Sequence, residues 1–205
     1  MPQDKSRARQ QRILDAALRV FSRKGYRDAS VDEIAGESGT SKGGVYFHFP
    51  SKDVIYLQLL DRTVARLRDK IEEAMAEHDH PIAKADAALL AVLRTFDKHA
   101  TLARFFMVET LGAGRQFQRR MAETRAEFAT IIRQHLDEAV KQGIIEPLDT
   151  DVAAQAWFGA LYEVITSWVL MRTPERLEET YAALRPLLMR SVGAEDVRLS
   201  ALMKS

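Results

Sequence analysis

The chain has 205 residues, 46% hydrophobic and 29% charged, enough to bury a sizeable core as one unit or as a small head on a larger body. It has no cysteine, which excludes disulfide frameworks, thiolate zinc sites and cysteine nucleophiles and makes a reducing cytoplasm the default location; no apolar run or secretory leader points to a membrane. Net charge is only +1, yet eight basic residues stand against two acidic ones in residues 1–27, a local excess of +6 that suits a polyanion-binding end.

Apolar residues recur at spacings of three and four and no run alternates with period two, so the expected fold class is all-α. Ile13, Ala16, Ala17, Val20 and Phe21 form the inner stripe of a first helix that Arg23, Lys24 and Gly25 bring to an end. Ser30-Val31-Asp32-Glu33 reads as a capping box, the Ser hydroxyl serving one orphan amide and Glu33 reaching back to another. The second helix stops near Ser38-Gly39, and a new cap at Thr40 or Ser41 opens a third, short helix to about His48. Pro50-Ser51-Lys52-Asp53 restarts the chain as a long fourth helix with Ile55, Val64, Leu67, Ile71 and Met75 on one stripe. Further helices are predicted at about 82–99, 102–111, 115–142, 150–171 and 174–192, with Gly112, Gly114 and Gly143 between them and Pro186 kinking or dividing the last. About nine helices result, divided into a head, residues 1–50, and a body, residues 51–205.

Two short helices joined at a glycine form a helix-turn-helix, whose second helix enters the major groove of double-stranded DNA. Gly39 supplies the turn. The following helix carries Gly43 and Gly44 side by side, each costing about 1 kcal/mol against alanine. Close approach of a partner surface accounts for them, with Ser41, Lys42, Tyr46 and His48 around the bare patch. Lys42 and Lys52 lie in first helical turns, where the dipole disfavours a cation; bound phosphates would reverse the sign, and simple surface solubility is the plainer alternative for either alone. The DNA-binding candidates are Thr40, Ser41, Lys42, Gly43, Gly44, Tyr46, His48 and Lys52.

The stretch from Arg12 to about Asp61 resembles the DNA-binding head of the TetR family of repressors. The family pattern of Phe-x-x-x-Gly-Tyr, Ile-Ala-x-x-x-Gly, Ser-Lys-Gly, Tyr-x-x-Phe and Ser-Lys appears in order. The resemblance implies an Ω-shaped homodimer of all-α subunits on a palindromic operator, with Lys42, Gly43, Gly44, Tyr46 and His48 at the DNA and Lys52 on phosphate. Gly44 departs from the more usual Thr, Ser or Ala, which removes a possible base or phosphate contact.

In the body, small residues at 153, 156, 159 and 160 beside Trp157, Leu161, Val164, Ile165 and Trp168 make an apolar helix coverable on two sides. With the last helix this predicts a four-helix dimer interface that includes Ala156, Gly159, Ala160, Glu163, Trp168, Leu184 and Leu188; packing within one chain is the alternative. Aromatic and Met side chains in the middle helices suit a deformable apolar cavity or an ordinary core. Its ligand-binding candidates are Phe96, His99, Phe105, Phe106, Glu109, Phe128, Trp157 and Tyr162, with His99 or Glu109 as the polar orienting group. Residues 104–151 resemble the sensor body of fatty-acid-degradation regulators in the same family, which implies a long-chain acyl-CoA effector and no cofactor. Its phosphates would then meet Arg104, Arg115, Arg119 or Arg120. Lipophilic drugs or butyrolactone-like signals stay open, because Tyr-Phe-His-Phe also resembles receptors of that kind.

No P-loop, nucleophile elbow or HExxH is present, and His78 and His80 are off a common helix face, so neither a catalytic nor a metal site is expected. An acyl-CoA-binding enzyme and an architectural DNA binder are the rival classes; the low net charge disfavours the second. The expected function is a ligand-responsive repressor, although an activator would use the same head. A ligand wedging the body would tilt the fourth helix and change the spacing of the two heads.

Overall fold

A computed structural model describes residues 2–107 and 115–194. Among them are nine α-helices and no strand: α1 Pro2–Asp28, α2 Val31–Ser38, α3 Lys42–His48, α4 Lys52–Met75, α5 Pro81–Lys98, α6 Ala100–Met107, α7 Arg115–Lys141, α8 Thr150–Met171 and α9 Tyr181–Ser191. A 3₁₀ turn, Leu177–Thr180, precedes α9. The chain forms two compact units, Met1–Arg66 with His99–Met121, and Leu67–Lys98 with Ala122–Ser205.

In the first unit, Ile13, Ala16, Ala17, Val20 and Phe21 of α1 are fully buried, as are Ile34 of α2, Val45 of α3 and Ile55 and Leu59 of α4. An aromatic cluster extends this core. Tyr56 lies 5.1 Å from Phe21, 4.8 Å from Phe105 and 4.9 Å from Phe117 between ring centroids, and Tyr26 lies 5.0 Å from Phe117. Edge-on and tilted rings at these separations each add about 0.5–1.5 kcal/mol beyond their burial. They bring α6 and the start of α7 into the head's core. Packing thus groups residues 1–66 with 99–121, whereas the head was expected to end at residue 50.

The second unit is built around Leu89, Leu93 and Phe96 of α5, Leu136 and Ala139 of α7, Trp157, Ile165 and Trp168 of α8, and Leu184 and Leu188 of α9, all buried. Polar bonds fix the last elements in place. Arg94 pairs with Glu178 at 2.8 Å, Asp86 accepts from the Tyr181 hydroxyl at 2.7 Å and from Arg185 at 2.8 Å, and Trp157 Nε1 donates to Ser191 Oγ at 2.9 Å. Burial and the Asp86 carboxylate push the Tyr181 phenol up to about 12.

Two predicted helices differ. Gly25, with φ 80° and ψ 168°, interrupts α1 where an end was expected, but the helix also reaches back to Pro2. The helix expected over 174–192 becomes α only at Tyr181, because Arg176 is extended and the buried Leu177 gives its amide to the Asp97 carboxylate. Pro186 lies inside α9 without dividing it. Residues 108–111, and with them Glu109, lie outside the described residues.

Candidate nucleic-acid interface

Local chemistry sets the reading head. Glu33 N donates to Ser30 Oγ at 3.2 Å and Ser30 N donates to Glu33 Oε2 at 3.1 Å, completing the capping box of α2. Lys24 also bonds Glu33, and these donors, Lys24 first, hold its carboxyl down at about 2. Gly39 closes α2 at φ 63° and ψ 32°, a left-handed conformation that a Cβ would penalise. Two residues later Ser41 caps α3 by accepting from Gly44 N at 3.1 Å.

Val45, fully buried, anchors α3 to the head. At about 100° per residue, Lys42, Tyr46, Gly43 and Phe47 occupy an outer arc of roughly 140°, and all four are exposed. Tyr46 is 43% exposed and Phe47 83%. Of the expected contacts, Ser41, Lys42, Gly43 and Tyr46 face outward, whereas Thr40, Gly44 and His48 are only half exposed. Thr40 Oγ1 and His48 Nε2 are buried without a hydrogen-bond partner. Phe47 was not among the expected contacts; its helical phase, opposite Val45 and one turn from Gly43, is the signal that finds it.

Lys52, the expected phosphate contact, is engaged within the chain. Its ammonium donates to the carbonyls of Tyr26 at 2.8 Å, Arg27 at 3.2 Å and Ala29 at 2.9 Å, and lies 4.5 Å from the Tyr26 ring centroid. Three donors meet three acceptors, so a phosphate would have to displace one of these carbonyls. The cation that sits badly at the start of α4 sits well against the negative end of α1. Lys42 instead pairs with Asp32 at 2.8 Å, both side chains being more than half exposed, which leaves the lysine exchangeable.

The two glycines also separate. A Cβ on Gly44 would stand 2.7 Å from the Thr40 methyl, so packing within the head explains that residue. A Cβ on Gly43 would meet nothing within 4 Å.

Residues 13–59 match the family "Bacterial regulatory proteins, tetR family", and residues 60–190 match "YsiA-like protein, C-terminal region". The chain belongs to the TetR family. It is a transcriptional regulator and not an enzyme. Among its relatives is the fatty acid metabolism regulator protein of Bacillus subtilis, 28% identical over 168 residues that cover 80% of this chain and 85% of that one. The fatty acid degradation regulator FadR from Bacillus halodurans superposes with a TM-score of 0.81 at 26% identity, covering 87% of this chain and 97% of that one. FadR from Bacillus subtilis, solved with stearoyl-CoA, has the same fold, with a TM-score of 0.82 at 24% identity over 90% of this chain and 98% of that one.

The expected ligand residues of this TetR-family chain fall in both compact units. In the first, Phe105 is fully buried against Phe21 and Tyr56 as head core, Phe106 is also buried, and His99 is exposed. Arg104 donates to the Ser22 carbonyl at 3.1 Å and Arg120 to Asp61 at 2.8 Å, so these two cations tie the head together. In the second, Phe96, Phe128 and Trp157 are buried, and the Arg125 guanidinium lies 4.4 Å from the Tyr162 ring centroid. A cavity of about 420 Å³ opens between α7 and α8, lined by Arg125, Arg133, Asp151, Gln155 and Phe158 among others and by none of the eight expected ligand residues.

On α8, Val152, Ala156, Gly159 and Glu163 follow one exposed face that Leu170 continues, with Ala160 half exposed beside it. Of the other residues expected at the dimer interface, Trp168, Leu184 and Leu188 are only 3%, 8% and 4% exposed and pack within the chain. No helix among the described residues is long and apolar enough to cross a membrane.

Proposed function

We propose that the chain is a homodimeric repressor that grips a palindromic operator with the outer face of α3 and releases it on binding a long-chain acyl-CoA. One observation carries the DNA reading: a capped, glycine-turned helix holds Lys42, Gly43, Tyr46 and Phe47 outward while Val45 fixes it to the core. Base-edge and phosphate contact both require such a face. The exposed stripe of α8 supports a two-fold interface; two α3 helices reading successive turns would need half-sites about 34 Å, or a multiple, apart. The likeness of the whole chain to fatty acid regulators, one of them solved with stearoyl-CoA, supports the effector. Its place of work is the bacterial cytoplasm, where the operator is.

The effector acts only through a difference in affinity between the DNA-bound and released states. A hundredfold loss of operator affinity needs about 2.7 kcal/mol of that difference. α4 and α7 each contribute residues to both compact units and are the continuous elements available to carry the change.

The test is fluorescence anisotropy at fixed salt on DNA from upstream of the chain's own gene, titrated with stearoyl-CoA, stearate and free CoA. Release by stearoyl-CoA alone supports the proposal. Sequence-specific binding that no acyl-CoA alters removes the effector and leaves the regulator. Release by a lipophilic drug or a butyrolactone would reassign it, and transcription that rises with bound protein would make the regulator an activator.

A further inference from the structure

Phe47 is the most exposed of the large apolar side chains among the described residues, at 83%, on a helix whose neighbouring Val45 and Phe49 are fully buried. Its ring is edge-on to that of His48, with centroids 5.1 Å apart. Burial in the chain does not explain a phenyl ring there. Gly43 is equally unexplained from inside, because a Cβ would meet nothing, although glycine weakens a helix of only seven residues.

The two positions are four apart and therefore stacked on one face, and a helical side chain leans back over the turn that precedes it. Gly43 and Phe47 thus share one outer face, with no atom of the Phe47 ring within 4 Å of the place a Gly43 Cβ would take. The open space over the Gly43 backbone has room for a methyl-sized group between it and the ring, and Tyr46 and Lys42 supply polar groups nearby. Of the groups that bases present in the major groove, the one that is apolar is the 5-methyl of thymine. We propose that Gly43 and Phe47 form a methyl-reading notch that specifies a thymine in each operator half-site.

This rests on the reading of α3 as the DNA-contacting helix, and the experiment separates the two. A duplex selected from a random pool by the wild-type protein is synthesised with each thymine replaced in turn by uracil, which keeps the hydrogen-bonding edge and lacks the methyl. Affinities are measured by anisotropy at fixed salt for wild type, Phe47→Ala, Phe47→Leu and Gly43→Ala. At one position per half-site, uracil is expected to weaken wild-type binding about fourfold, the worth of one buried methyl. The same replacement changes Phe47→Ala binding less than about twofold, since the contact is already gone. Phe47→Leu retains part of the uracil effect, and Gly43→Ala, which fills the open space, loses at least as much affinity as Phe47→Ala.

Uracil effects that are absent in wild type, or equal in wild type and Phe47→Ala, overturn the proposal. So does a uniform loss by Phe47→Ala on selected and random DNA alike, which would place the ring on the sugar-phosphate backbone. Failure of the wild-type protein to select any sequence would instead remove the reading of α3 itself, and the notch with it.

Discussion

The methyl group of Thr40 lies 2.7 Å from the point that a Cβ on Gly44 would occupy. Alanine there gains about 1 kcal/mol in helix propensity but has to displace a β-branched side chain with few alternative rotamers. Gly44→Ala should therefore be neutral or destabilising in urea unfolding. The same substitution at Gly43, where the space is open, should stabilise the protein by about 0.5–1 kcal/mol. Replacing Thr40 with Ser in the Gly44→Ala background should recover the missing gain. Equal stabilisation at both glycines would mean that the Thr40 contact does not resist.

Lys52→Ala should behave as a stability variant. It strips three carbonyls of a charged donor, a loss of about 1–3 kcal/mol at a half-buried position. The dependence of operator affinity on salt should keep its wild-type slope, measured as log affinity against log salt. A slope shallower by about one would return Lys52 to a phosphate.

The capping box has a predictable acid limit. Glu33 titrates at about 2 in the folded chain against an ordinary value of 4.5, so its contribution is complete above about pH 5 and is lost as the pH falls towards 2. Glu33→Gln cannot take part in that titration. The difference in urea midpoint between wild type and Glu33→Gln should be constant from neutral pH to about 5 and shrink below it. A difference that persists unchanged into acid would show that the carboxylate charge does not serve the cap.

Gly159→Arg should leave the subunit folded, because the added side chain points into open space, yet abolish the dimer in sedimentation experiments and with it tight operator binding. Trp168→Ala should do the reverse in order: it empties a core site, costs about 3–5 kcal/mol, and loses the dimer only by losing the fold.

What local chemistry controls could be read from the residues: the Ser30–Glu33 box, the glycine turn at 39 and the whole span of α8 match their expected positions. What depends on distant partners could not. The role of Lys52 is set by carbonyls 23 to 26 residues earlier in the chain, which only folding brings to its ammonium. Phe105 carries no mark that assigns it to the head, since an aromatic suits either core, and its neighbours Phe21 and Tyr56 come from α1 and α4. On α8, apolar residues lie on opposite sides of the helix, and periodicity alone cannot say which side the same chain covers. Trp168 proved internal and Gly159 external. Phe47 was legible in principle, since its phase matches Gly43, but an aromatic in a short helix suits a core as well as an exposed face.

On the proposed reading, a phosphate that takes Lys42 has to win it from Asp32, an exposed pair worth at most about 1 kcal/mol. The lysine therefore waits in a preset, weakly held position, and the contact adds slightly less to operator affinity than an unpaired lysine in the same place would.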